Sequence, residues 1–192
     1  MENKIAKSAF ITGIPTAGKS CLAKKVSEKI GARHVAIDDY RKEWGKDPAL
    51  NKWTNLFLNL DEEKYLAMSC DEQWQKGIEQ SEGLWSATLE KINEIRDNGQ
   101  SAIFEAVTIL PHLAKRDLNF PGIVLLGESF EKTLERNYKF PRWGKTKELQ
   151  RREAESFWNC ERKHYQSEAE KYGFKSFSDP VAAEAELVKI LS

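Results

Sequence analysis

Residues 7–20 read KSAFITGIPTAGKS, an apolar run that ends at Gly13 and a loop that closes on Gly18, Lys19 and Ser20. The spacing fits the phosphate-binding loop pattern GxxxxGK[ST]. Glycines let successive backbone N–H groups turn toward a polyphosphate, the lysine ammonium reaches its outer phosphates, and the hydroxyl ligates Mg²⁺. The helix that follows adds its positive N-terminal end. Ala9, Phe10 and Ile11 predict a buried strand before the loop, and Leu22, Val26 and Ile30 give helical spacing after it. A chance glycine turn would not need both flanks. Gly13, Ile14, Pro15, Thr16, Ala17, Gly18, Lys19, Ser20 and Cys21 are therefore the candidate nucleotide-polyphosphate site.

Further along, Gly31 stops the first helix, and residues 33–37 form a short second strand that runs into Asp38 and Asp39. Ligands of open α/β sheets bind beyond the carboxyl ends of the strands, where a catalytic acid is expected. Helix capping is the plainer use of either aspartate, since YRKEW follows. A third strand at residues 101–104 runs into Glu105, the shape of a Walker B element whose carboxylate supports the metal or the substrate. PGIVLLG at 121–127 is the clearest buried strand, and residues 174–177 make a last short one before a closing helix at 182–191. Five strands with helices between them predict a three-layer α/β/α sandwich around a parallel sheet.

Two long segments depart from a minimal alternation of strand and helix. Residues 44–98 carry no strand-like pattern and read as inserted helices on the substrate side. Trp53, Leu56, Phe57 and Leu60 are spaced for one helical face, and Trp74, Ile78, Trp85, Leu89, Ile92 and Ile95 for another, interrupted by Gly77 and Gly83. Such tryptophans serve a core, or else Trp44 and Trp53 face a substrate. Residues 130–163 are helical with a break at FPRWGK, and Arg136, Lys139, Arg142, Lys145, Arg151 and Arg152 crowd around it. In a phosphate-handling protein this is a cationic lid; otherwise it is a solvated face paired with Glu148, Glu153 and Glu155.

The 192 residues amount to one ordinary domain, 1–192, with 30 basic and 30 acidic side chains in balance. Nothing global favours nucleic acid or an anionic membrane. Locally, residues 59–98 hold ten acidic against four basic side chains, and residues 132–163 ten basic against five acidic. The acidic surplus argues against a nucleic-acid groove on the insertion. Cys21, Cys70 and Cys160 are far apart and in no CxxC spacing, which suggests a reducing, cytoplasmic setting. A cysteine pair or zinc site stays open in principle, but His34, His112 and His164 are isolated too and all six read better as bystanders. No leader pattern opens the chain, and no apolar run approaches a membrane span.

GIPTAGKS, Asp38, the AIFEAV strand at 102–107 and the arginine-rich lid together resemble the small P-loop kinases of the nucleoside monophosphate kinase superfold, over most of the chain. Within that group, IFEAVTILP is similar to the EGVHLVP-like segment of 2-phosphoglycerate kinases. IDDYR at 37–41 resembles zeta-toxin-like and chloramphenicol-phosphotransferase-like kinases, in which an acid after strand two activates a substrate hydroxyl. The resemblance implies sheet order 2-3-1-4-5, ATP with Mg²⁺, and transfer to a small acceptor. Three departures stand out. Thr16 and Ala17 replace the usual glycine and serine of the loop, Ala106 replaces the glycine after the glutamate, and no DGFPR-like segment follows strand three. The last of these argues against a nucleoside monophosphate acceptor.

The resulting expectation is a P-loop kinase that moves the γ-phosphate of ATP to a hydroxyl of a small molecule. Lys19, Asp38, Arg136 and Arg142 are its catalytic candidates, with Asp38 taking the acceptor's proton. Asp39, Arg41 and Glu105 are the substrate contacts, and Ser20 and Asp38 the Mg²⁺ side. The rivals are a regulatory or switch P-loop ATPase without an acceptor, and a zeta-toxin-like sugar-nucleotide kinase. GTPase signals are missing, since no DxxG follows a strand and NKWT at 51–54 is not NKxD. Nothing in the sequence fixes an oligomeric state.

Overall fold

Strand β1 (Ser8–Gly13) is buried at every position and lies at the centre of a five-stranded sheet. In a computed structural model, which describes residues 6–57, 59–142 and 144–192, the strands follow the order β2-β3-β1-β4-β5. The others are β2 (Arg33–Ala36), β3 (Ala102–Glu105), β4 (Gly122–Leu125) and β5 (Lys175–Phe177), and all pairs are parallel. Register aligns Ile11 with Glu105, Glu105 with Ala36, and Gly13 with Leu125, so the carboxyl ends of four strands meet at one edge. Phe10, Ile11, Ile103, Phe104 and Ile123 are fully buried. Each contributes about 1.5–3 kcal/mol of burial free energy. Gly122 admits the Phe10 ring, because a Cβ there would sit 2.2 Å from it.

Helices cover the sheet in two layers. α1 (Lys19–Ile30) packs on α10 (Pro180–Leu191); opposite them lie α5 (Cys70–Asp97), α6 (Pro111–Asp117) and α9 (Arg162–Tyr172). β2 ends one residue earlier than its apolar run suggests. Residues Ile37–Tyr40 turn into a 3₁₀ helix that leads to α2 (Arg41–Trp44), and neither Asp38 nor Asp39 caps it.

The insertion is helical throughout, as the sequence implies: α3 (Pro48–Thr54), α4 (Glu62–Ala67) and the 28-residue α5, which a Ser69–Glu72 capping box starts. α3 stops short of the expected Trp53-to-Leu60 face. The Asn51 carbonyl accepts from the Thr54 hydroxyl at 2.9 Å and from the Asn55 side-chain amide at 3.2 Å, which satisfies the helix end. Gly83 does not break α5. A Cβ there would lie 2.3 Å from the Trp53 ring, so the glycine is the seat of that indole.

The arginine-rich segment comprises α7 (Phe130–Lys139), α8 (Lys147–Ser156) and a π-helical turn, Phe157–Glu161, that joins α8 to α9 without a gap. Of the FPRWGK break, Trp143 lies outside the described residues, as does the stretch 1–5 to which the missing leader pattern refers.

The cysteines correct the sequence reading. Cys70, at the start of α5, is bonded to Cys160 in the π turn across 90 residues, and only Cys21 among the three is free. Sequence distance concealed the pair, because α5 and the π turn pack together only in the folded chain. The argument from spacing to a reducing compartment loses its basis. Among the described residues no helix is long and apolar enough to cross a membrane.

Candidate active site

The loop after β1 is built to bind an anion. Gly13 is at φ +128°, Thr16 at +60° and Gly18 at +95°, the positive-φ residues from which an anion-binding nest of N–H groups is made. Gly13 has no alternative, since a Cβ would stand 1.9 Å from the Leu125 carbonyl oxygen. Thr16 takes a conformation that costs a β-branched residue energy. Its buried hydroxyl has no hydrogen-bond partner among the described residues. An orphaned donor inside the loop fits a phosphate oxygen.

Lys19 folds back over the loop. Its buried Nζ donates to the carbonyl of Ile14 at 2.7 Å and of Gly13 at 3.0 Å, which leaves its third N–H for a ligand. Burial lowers this ammonium to about 8; Glu105, Asp38 and Glu161 act to raise it and Arg142 to lower it. Beside it the Ser20 hydroxyl donates to Glu105 Oε1 at 2.7 Å. Glu105 is buried, with His34 Nε2 at 3.6 Å. Burial pushes this carboxyl up, yet His34, Lys19 and Ser20 together hold it below the usual range. An exposed hydroxyl backed by a carboxylate suits Mg²⁺, which takes few protein oxygens and keeps most of its water.

Next to the loop opens a cavity of about 680 Å³ whose lining includes Pro15, Asp38, Asp39, Arg41 and Arg142. Asp38 is ion-paired with Arg41 at 2.8 Å. Glu105 stays behind Ser20 and does not line the cavity, so of the three expected substrate contacts only Asp39 and Arg41 face it. The expected lid cluster divides. Arg136 lies over the loop, donating to the Thr16 carbonyl at 3.3 Å and pairing with Glu128. Arg142 reaches the cavity. Arg151 and Arg152 pair with Glu155 on the surface, at 3.1 and 3.5 Å. Glu153 is no surface partner: fully buried, it accepts from Asn137 at 3.0 Å and from the Gly144 N–H at 3.2 Å, which fastens α8 to α7 and to the break. Cys21 is exposed.

Sequence reasoning missed part of the cavity. Trp44 is buried and stacked on Tyr40, and neither it nor Trp53 lines the cavity; Trp74 does, with Tyr65 and Tyr165. Glu161, the last residue of the π turn, also lines it. Burial raises the Glu161 carboxyl to about 7, against the opposing pull of Lys19 and Arg142. No periodicity marks it, because a π turn shifts the face of a helix by one residue without a sequence signature.

The sheet order and the loop define the fold of the small P-loop kinases. A solved shikimate kinase from Acinetobacter baumannii, in complex with shikimate, is similar over 96% of this chain and 89% of that one, with a TM-score of 0.55 and 12% sequence identity. A deoxyadenosine kinase from M. mycoides with bound dATP is similar over 95% of this chain and 97% of its own, with a TM-score of 0.48 and 14% identity. No family model and no curated protein matches the sequence. At 12% identity the likeness to the shikimate kinase is one of fold.

Proposed function

We propose that the protein is an ATP-dependent phosphotransferase that moves the γ-phosphate of ATP to a hydroxyl of a small molecule. One observation carries the reading: the lysine-closed loop opens directly onto a large cavity that presents a carboxylate, Asp38, and an arginine, Arg142. A switch ATPase has no use for such a cavity.

Loop amides and Lys19 hold the β and γ phosphates, and Ser20 with Glu105 behind it, together with Asp38, forms the Mg²⁺ side. Those residues would hold Mg²⁺, which would supply charge neutralisation to the phosphates. Asp38 takes the proton of the acceptor hydroxyl as its oxygen bonds to the γ phosphorus and the bond to the ADP oxygen breaks; Arg41 holds that carboxylate in place. Arg142 faces the transferring group, whereas Arg136, outside the loop, suits the adenine side. Catalysis of this kind is positioning and charge stabilisation.

The test is ADP release from ATP against a panel of hydroxyl compounds, with Lys19→Ala as control. Acceleration by at least one acceptor, lost by roughly 100-fold or more in the variant, is expected. Slow ATP turnover that no acceptor accelerates favours the switch ATPase instead.

A further inference from the structure

The cavity beside the loop also holds a group of aromatic side chains and a buried carboxylate. Phe57, Tyr65, Trp74, Phe157 and Tyr165 line it together with Glu161. Trp74 is held rigidly, stacked on His164 at 4.8 Å with an interplanar angle of 3°, and Tyr165 meets it edge-on at 5.1 Å. The Tyr165 hydroxyl is in turn engaged by the Val107 carbonyl. Glu161 has no hydrogen-bond or ion-pair partner among the described residues, although burial disfavours its charge. Carboxylates removed from water are normally paired, so one left open in a cavity waits for a partner that the ligand brings.

Aromatic faces around an unpaired carboxylate are the recognition chemistry of an ammonium group, which gains cation–π attraction from the rings and an ion pair from the acid. The cations of the cavity do not favour the opposite ligand. Arg41 is committed to Asp38, Arg142 acts on Glu161 as well as on Lys19 so that its charge is already opposed by a carboxylate, and Lys42 is exposed. An acceptor carboxylate or phosphate placed among the rings would meet Glu161 with like charge.

We infer that the acceptor carries a basic nitrogen as well as its hydroxyl, an amino alcohol or aminated sugar in chemical class, and that Glu161 receives its ammonium group against Trp74. The inference rests on the phosphotransferase reading above and goes beyond it by naming the acceptor class.

The experiment follows ADP release with ATP and three matched sets of hydroxyl compounds: amine-bearing, uncharged and carboxylate-bearing. Turnover is expected in the amine-bearing set. Glu161→Gln should raise KM for that acceptor roughly 10- to 100-fold while kcat and KM for ATP each stay within about threefold. Trp74→Leu should raise the same KM by about 3- to 30-fold. Turnover confined to the uncharged or carboxylate-bearing sets overturns the inference and leaves the phosphotransferase reading intact. An equal fall of kcat for every acceptor in Glu161→Gln, with KM unmoved, also overturns it, because that marks a proton acceptor. ATP binding by thermal shift with no turnover in any set overturns both readings.

Discussion

Replacing Glu161 by glutamine keeps the shape of the side chain and removes its charge, and it should make the protein more stable. The carboxyl titrates at about 7 in the folded protein against 4.5 for an ordinary glutamate. Between those values the folded chain holds a proton that the unfolded chain has released, so stability falls as pH rises. The loss is absent below about 4.5 and complete above about 7. An interval of about 2.5 pH units at roughly 1.4 kcal/mol each comes to about 3 kcal/mol. The side chain keeps some access to solvent, which brings the working figure to about 2 kcal/mol. The assay is urea unfolding of wild type and Glu161→Gln, read by tryptophan fluorescence at pH 5, 6, 7 and 7.5. Lys19 titrates near 8 and feels the charge of Glu161, so the series stops below that value. The stability advantage of the variant should grow by about 1.5 kcal/mol from pH 5 to pH 7.5. An advantage that is flat across this range would refute the reasoning, since it would place the carboxylate in an ordinary aqueous environment.

Two further outcomes follow from named contacts. Asp38→Asn should lower kcat by about 100-fold or more with a confirmed acceptor and leave KM for ATP within a few fold; near-full turnover would remove Asp38 as the proton acceptor. Opening the bond between Cys70 and Cys160, by reductant or by Cys160→Ser, should lower the unfolding free energy by about 4.6 kcal/mol, the chain-entropy value for a loop of this length. Unfolding midpoints that coincide with and without reductant would show that the bond contributes nothing.

Local chemistry made much of the fold legible. GIPTAGKS between an apolar run and a helical pattern made the loop legible, and the apolar strands put Glu105 at the carboxyl end of β3 and Asp38 just past the end of β2, which stops at Ala36. Periodicity found the helices of the insertion but not which tryptophan faces the cavity, because Trp53 and Trp74 satisfy the same spacing. Only Gly83, which receives the Trp53 ring, and His164, which stacks on Trp74, decide between them, and both lie far away in sequence. The arginine cluster had the same weakness. Charge density marks the segment, whereas the division into Arg136 over the loop, Arg142 at the cavity and Arg151 on the surface depends on how α7 and α8 fold against each other. Cys70 and Cys160 meet through packing alone.

The π turn sets a rule about length. It holds one residue more than an α turn needs, and an α-helix advances about 100° and 1.5 Å per residue. Deleting the exposed Asn159 would let α8 and α9 run on as a single regular helix, but every side chain of α8 would then be rotated by about 100° relative to α9. Glu153, which fastens the arginine-rich segment, and Tyr165, which steadies Trp74, could not both keep their places. Substitutions in this stretch can be absorbed one at a time, whereas a change in its residue count cannot. Homologous chains that share the cavity should therefore vary in composition between Glu153 and Tyr165 and not in the number of residues that separate them.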